Sequence, residues 1–421
     1  MMKASSLFYA IVISLIIAIV SSSLILFAYL SRIEFENFDI DQRLNLNADS
    51  GLNLLMSQQT LVEAGQHKSI DLYGTGEDSV FLSRKSWGAY EIAVAKASFK
   101  KMQVTRVAQI GYYPDSTHLY SLYLADQDKP LSLCGKTIIK GTAYLSKAGV
   151  KRAYIEGQSF IGNTLINGQI KQSERTLPPF NKEMIGHIQS IFSKKMLSDN
   201  DSIIMLQREL SGDSISNSFN DRSLVLTSAN SITISNGLYE GNVVIISDKQ
   251  ITVEASAILK DVILAAPRII IKDNFKGNFQ AFASDSIIVK KNVSLYYPSV
   301  LAVVMGVNSP NVSAVVLNEN DTLLGNMFAY KDDAYVLKQA GIVIPQKAVV
   351  IGQIYSNGYI DVKGTIKGSL MSNKILLVTP SSVYENHLLN AVIDASQLSR
   401  GYVGINLVQE SKGKKVVKWL N

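Results

Sequence analysis

Apolar positions fall into three patterns along this chain. From Leu7 to Leu30 they are nearly continuous, with no charged residue between Ala4 and Ser31. At 1.5 Å per residue those positions make a helix of roughly 36 Å, enough to cross a hydrocarbon layer of about 30 Å. Tyr9 and Tyr29 stand near its two ends, where amphipathic rings favour the interface. Phe38, Leu44, Leu46, Ala48, Leu52, Leu55 and Met56 then recur at steps near three and four, which predicts that the helix continues as a half-apolar extension seeking one packing face. From Ser69 to Leu124 the pattern changes to short alternating runs, such as Ala89–Ala95, Val104–Ile110 and His118–Leu124. Turn-like Gly74-Thr75-Gly76, Ser86-Trp87-Gly88 and Pro114-Asp115-Ser116 separate them, and the segment reads as an antiparallel meander.

The third pattern is a repeat. Ile232-Thr233-Ile234, Ile251-Thr252-Val253, Ile269-Ile270-Ile271 and Ile287-Ile288-Val289 step by 19, 18 and 18 residues. A second series starts at Gly241, Lys260, Gly277 and Pro298, steps of 19, 17 and 21, and returns at Gly325, Gly352 and Gly368. Self-similarity at this period, built from short β-branched runs, predicts a β-solenoid whose coils stack like on like. Gly241, Gly277, Gly325, Gly352 and Gly368 are expected at corners with positive φ, and Asn242, Asn278 and Asn326 are expected to bond the local backbone at those turns.

The fold class expected is therefore mainly β: an N-terminal transmembrane helix with a helical extension, an antiparallel β-meander, then a parallel β-helix with a helical insertion. The divisions expected are a cytoplasmic tip (1–6), the transmembrane helix (7–30), the extension (31–60), the meander (66–127) and first β-helix coils (134–172). A helical insertion (180–210) with Met184, Ile188, Ile191, Phe192 and Met196 on one side precedes the main β-helix (222–401). Within that β-helix Asp332 to Pro345 reads as an insertion. A C-terminal hairpin (402–421) around Ser411-Lys412-Gly413 is expected to cap the last coil and keep the soluble portion monomeric.

Two resemblances bear on these segments. A hydrophobic helix running unbroken onto an antiparallel sheet, with the Ala/Leu-rich run Leu44–Met56, resembles the plan of type IV pilins and pseudopilins. It implies a single-pass protein of the bacterial cytoplasmic membrane that assembles with other envelope proteins through its N-terminal helix. The chain departs from that family in its processing signature: Lys3-Ala4-Ser5-Ser6-Leu7-Phe8 stands at the start, with no acidic residue before Glu34. Ile351-Gly352-Gln353-Ile354-Tyr355-Ser356-Asn357 followed by Gly364-Thr365-Ile366-Lys367-Gly368-Ser369-Leu370-Met371 resembles the bactofilins, which implies a polymerising scaffold tethered to the membrane.

Charge and chemistry narrow the function classes. The 41 basic and 35 acidic residues leave a modest +6 with no basic block or basic-aromatic stripe, so nucleic acid is not an expected partner. One cysteine, Cys134, in the apolar run Leu131–Cys134, reads as a small buried hydrophobe. His67, His118, His187 and His387 lie in four separate segments, and no metal, cofactor or nucleophile motif occurs. Asp248, Asp261, Asp273 and Asp285 are the carboxylates a carbohydrate-active β-helix would use, but they fall at different places in their coils and read as turn residues. Sequons at Asn200, Asn292, Asn311 and Asn320 have no secretory setting. The expectation is a non-enzymatic envelope protein with no catalytic, cofactor or metal residues, N-terminus in the cytoplasm and bulk outside, a component of a pilus-like or secretion-type assembly. The alternatives are a membrane-tethered, bactofilin-like scaffold and a carbohydrate-binding or carbohydrate-active β-helix using Tyr296, Tyr297, Tyr355 and Tyr359.

Overall fold

A computed structural model describes residues 3–57, 62–74, 76, 78–114, 120–195, 201–206, 210–305, 312–332, 339–408 and 413–420. His118, Met196, Asn200, Asn311, the turn at Asp115-Ser116 and the hairpin tip at Ser411-Lys412 lie outside the described residues. The fold is mainly β and divides into two compact units: residues 1–55, 59–84 and 93–106 form one, and residues 56–58, 85–92 and 107–421 the other.

The first unit is built on α1 (Lys3–Met56), a single uninterrupted helix. Its N-terminal half exposes large apolar side chains from Leu7 to Leu30. Its C-terminal half buries Leu44, Ala48, Leu52 and Leu55, one stripe at helical spacing. The antiparallel strands β1 (His67–Ile70), β2 (Ser79–Trp87), β3 (Tyr90–Phe99) and β4 (Met102–Tyr112) follow in that order across the sheet, their residues 85–92 and 107–112 counting with the second unit. Gly51 is where helix and sheet come closest: a Cβ there would lie 2.8 Å from the Leu82 side chain and 2.9 Å from that of Val80. Polar contacts fix the register. Arg43 pairs with the buried Asp78 at 3.0 Å, Asn47 donates to the same carboxylate at 3.1 Å, and Arg106 reaches Asp49 at 3.1 Å.

The second unit is dominated by parallel pairing. Each coil contributes three strand segments, and each segment pairs with its counterpart one coil later. The inward rung Leu226–Ile245–Leu264–Ala281–Leu301–Met327–Ile354–Leu370 runs through eight strands in register. A second rung is Ile232–Ile251–Ile269–Ile287–Val315–Ile342–Ile360–Ile375, so the isoleucines that repeat in sequence are neighbours in space. These side chains form one continuous apolar core. A burial of this kind contributes about 1.5–3 kcal/mol per side chain.

Four expected divisions change. The strand Tyr120–Leu124 leaves the meander, which ends at Tyr112, and continues the parallel stack: Leu122 is the next inward rung after Leu370. Behind it come Thr142–Leu145 and Ile170–Gln172, with Ala143 beside Leu122 and Ile170 beside Ala143. The coils of 134–172 therefore lie beyond the end of the main repeat region, not before its start. Val392–Asp394 pairs with Thr365–Ile366 on one side and Ile138–Lys140 on the other, which seals the join.

The helical insertion is shorter than 180–210. Helix α2 is Lys182–Phe192, with Asn181 as its N-cap accepting from Glu183 and Met184 backbone N–H groups. Ser202–Met205 is already a strand of the first coil, paired with Leu224–Thr227. The chain must return from one end of the stack to the other between these points, which is the task of the α2 segment. The insertion at Asp332 to Pro345 is also smaller than expected, because Gln339–Ile344 pairs with Val312–Val316 as an ordinary rung.

Among the described residues the C-terminal segment forms no capping hairpin. Tyr402, Val403, Ile405 and Leu407 are buried in irregular chain, and Lys414–Leu420 runs antiparallel to residues 107–112 of β4. The last coil is closed instead by the loop after Val150–Arg152, whose Phe160 is buried in the core with Leu165 and Ile166 packed beside it. Arg152 occupies the inward column below Leu388 and Leu133, where it stacks on Phe160 at 5.6 Å and donates to the Gly162 carbonyl at 3.1 Å. Of the five corner glycines, Gly241, Gly325, Gly352 and Gly368 have positive φ and Gly277 does not.

Candidate functional site

One wall of the coils has no exposed face. Its segments read Val243-Val244-Ile245-Ile246, Val262–Ala266, Phe279–Ala283 and Val300–Val304, apolar at every position but Gln280 because both sides are covered. The outward column of this wall is Val244, Ile263, Gln280, Val300, Asn326, Gln353 and Ser369. Two amides interrupt the apolar run while almost fully buried, Gln280 and Asn326. A buried amide without partners costs free energy, so each must be met.

Both are met by backbone and phenols from the same unit. The Gln280 Oε1 accepts from the Ala89 backbone N–H at 2.8 Å and its Nε2 donates to the Trp87 carbonyl at 3.0 Å. The Asn326 Nδ2 donates to the Tyr90 hydroxyl at 3.0 Å, while the Tyr402 hydroxyl donates to Asn326 Oδ1 at 2.9 Å. Gly88 is required at this joint: its φ is +60°, and a Cβ there would lie 2.3 Å from Gln280 Oε1. The Tyr297 hydroxyl donates to the Val403 carbonyl at 2.8 Å.

The chemistry of this constellation is that of a joint. Burial pushes the Tyr90 and Tyr402 phenols well above their ordinary value, with neighbouring tyrosines adding to the shift. Burial pushes Tyr297 up to about 12, opposed by its bond to Val403. Protonated phenols and neutral amides provide no general base and no nucleophile at physiological pH.

The residues singled out in the sequence do not converge. Asp248 pairs with Lys194 at 2.9 Å, Asp261 with Lys418 at 2.5 Å and Asp285 with Arg268 at 3.3 Å, while Asp273 accepts from the Lys291 backbone N–H at 2.9 Å. His67 stacks on Phe81, and His387 lies 2.7 Å from the Glu385 carbonyl. His187 sits on α2, where burial pushes its imidazole down to about 4. Cys134 is buried and donates to the Gln158 carbonyl. Among the described residues no group of three His, Cys, Asp or Glu could hold a metal ion.

The asparagine expectation is corrected. Asn242 donates to the Asp221 carbonyl, Asn278 to the Asp261 carboxylate and Asn326 to Tyr90, all remote in sequence. The stacked asparagines are others: Asn320 donates to Asn292 at 3.1 Å and Asn292 to Asn274 at 3.4 Å, all three with positive φ. Short polar side chains tolerate that left-handed corner. Their sequence signal is the Asn in Asp273-Asn274, Lys291-Asn292 and Glu319-Asn320, each just after a core-facing strand.

The tyrosines offered for sugar stacking do not form a face. Tyr355 is buried with its ring 4.7 Å from that of Phe180, and Tyr359 lies over Gly341, whose added Cβ would fall 2.3 Å from the ring. Tyr297 is held by Val403, which leaves Tyr296 as the exposed member.

No family model matches the chain, and no curated protein matches it in sequence. Among solved structures it is similar to a competence-associated pilin, ComZ from Thermus thermophilus, at 9% identity over 86% of this chain and 88% of that one, with a TM-score of 0.20. A likeness that loose carries no argument.

Proposed function

We infer that this chain is a non-enzymatic, single-pass envelope protein, anchored by the first part of α1 with its bulk outside the cytoplasmic membrane. Its role is structural: a component or accessory of a pilus-like or secretion-type surface assembly, joined to other assembly proteins through α1. The observation that carries this reading is α1 itself. It is long and apolar enough to cross a membrane, its first half is exposed, and its second half is buried on an antiparallel sheet without a break in the helix. The polar constellation of the second unit supports the non-enzymatic part, since its phenols and amides are committed to one another.

Orientation follows from the flanking charges. The basic residues nearly balance, Lys3 before the span against Arg32 and Arg43 after it, so the orientation rests on the acidic Glu34, Glu36, Asp39 and Asp41, which make the following side easier to translocate. Protease added to spheroplasts is expected to remove the coils while leaving a membrane-embedded N-terminal fragment. Survival of the coils until the spheroplasts are lysed would reverse the topology and favour a cytoplasmic, bactofilin-like scaffold.

A further inference from the structure

The end of the stack formed by residues 136–171 combines exposed apolar side chains with exposed lysines in one segment. Four large apolar side chains stand in water there: Tyr154 is 71% exposed, Ile161 66%, Ile170 53% and Ile138 39%. Tyr154 is held at the base of a two-stranded hairpin, pairing with Ser159, while Ile155 pairs with Gln158 beside the tip, where Glu156 and Gly157 both have positive φ. The hairpin is fixed at its root by the buried Phe160.

Exposed cations occur along the same segment. Lys136, Lys147, Lys151 and Lys171 have no carboxylate partner among the described residues. Lys171 lies over the Tyr144 ring at 5.6 Å. The nearby carboxylates are mostly engaged: Asp128 by Arg175, Asp394 by Lys140, Glu385 by Lys129, and Glu156 by the Ser381 hydroxyl. Glu174 is the exposed exception. Amphipathic aromatic and aliphatic groups ringed by unpaired lysines match a bilayer interface carrying anionic headgroups.

We propose that this end of the stack docks on an anionic lipid surface, with Tyr154, Ile161 and Ile170 entering the interface and Lys136, Lys147, Lys151 and Lys171 meeting the headgroups. The proposal rests on the reading of α1 as a membrane anchor, because tethering brings a bilayer to high effective concentration and makes a weak surface contact sufficient. A second copy stacked on this end is disfavoured by Arg152, whose charge lies in the inward column that another coil would have to bury.

The test uses the full chain in lipid nanodiscs. Tyr154→Cys provides a labelling site, since the chain's single cysteine, Cys134, is buried. A polarity-sensitive dye at position 154 is expected to shift to the blue and to be quenched by nitroxide-bearing lipids in discs containing phosphatidylglycerol. Neither effect is expected in phosphatidylcholine discs. Replacing Lys136, Lys147 and Lys151 with Gln is expected to lower the ratio of docked to free states by ~100-fold, at about fivefold per lysine. These side chains are exposed, so the variant keeps its fold, checked by an unchanged melting profile. Three results would overturn the proposal: no quenching in either lipid, quenching that survives the lysine replacements, or shielding of the dye that depends on protein concentration without lipid quenching. The last would identify a second copy as the occupant. Retained span insertion with no quenching would fail the docking proposal alone, whereas loss of the chain from the discs would fail the anchor reading.

Discussion

Replacing Gly352 with Ala is expected to destabilise the coils by about 3–5 kcal/mol, the sum of a strained backbone and an overpacked contact. Gly352 has φ +151°, a conformation that side chains rarely adopt, and a Cβ there would lie 1.7 Å from the Gly325 carbonyl oxygen. The offending atom is backbone, so no rotamer change relieves the clash. Gly325 and Gly368 stand directly above and below in the same register, each with a Cβ position 1.9 Å from a carbonyl of the neighbouring rung. Gly186 is the control. It lies in α2 with nothing within 4 Å of its Cβ position, so Ala there is expected to raise stability by about 1 kcal/mol through helix propensity. Thermal and urea midpoints of the two variants should move in opposite directions; equal midpoints for Gly352→Ala and the parent would contradict the packing described.

Deletion of residues 402–421 is expected to abolish a stable second unit and not merely to expose a coil end. The segment buries Tyr402, Val403, Ile405, Leu407 and Leu420. It also supplies the hydroxyl that satisfies Asn326, a backbone contact to Asn181 at the N-terminus of α2, and the antiparallel partner of β4. Losing five large buried side chains at about 1.5–3 kcal/mol each removes an amount comparable with the whole stability of a typical domain. Tyr402→Phe isolates one part of this. It leaves the buried Asn326 carbonyl without its donor and is expected to cost about 1–3 kcal/mol. Limited proteolysis and near-ultraviolet circular dichroism would show the truncated chain as open and unpacked. A truncated chain that melts like the parent and forms regular filaments would instead favour the hairpin-cap expectation.

The isoleucine series was legible because its period is strict. Ile232, Ile251, Ile269 and Ile287 each begin a short β-branched run, and parallel stacking converts equal spacing into direct contact. Helix α1 was legible for a similar reason: a continuous apolar run followed by Leu44, Ala48, Leu52 and Leu55 fixes both its existence and its buried face. The order of the coils was not. Every rung carries the same inward apolar pattern, so nothing local tells Leu122 that its neighbours are Leu370 and Ala143. The Lys415–Leu420 run announced a strand, yet its partner, β4, lies some 300 residues earlier and leaves no trace in the local pattern. The buried amides failed for another reason. Asn326 and Gln280 look like ordinary turn or surface residues, and only the covering of their wall by Ala89, Tyr90 and Tyr402 makes them a joint.

The central structural claim is that residues 120–172 complete the stack beyond Thr365–Val378, and cysteine trapping tests it most directly. Ile138 and Val392 are register partners on adjacent parallel strands, where a spacing of about 4.8 Å between strands suits a disulfide. The double variant Ile138→Cys/Val392→Cys is expected to oxidise readily to a crosslinked chain that keeps the parent's melting profile. Ile170→Cys/Ile204→Cys, which share one column of the register and would be neighbours if the coils stacked in sequence order, is expected to stay reduced. A crosslink between 170 and 204 with none between 138 and 392 would contradict the account.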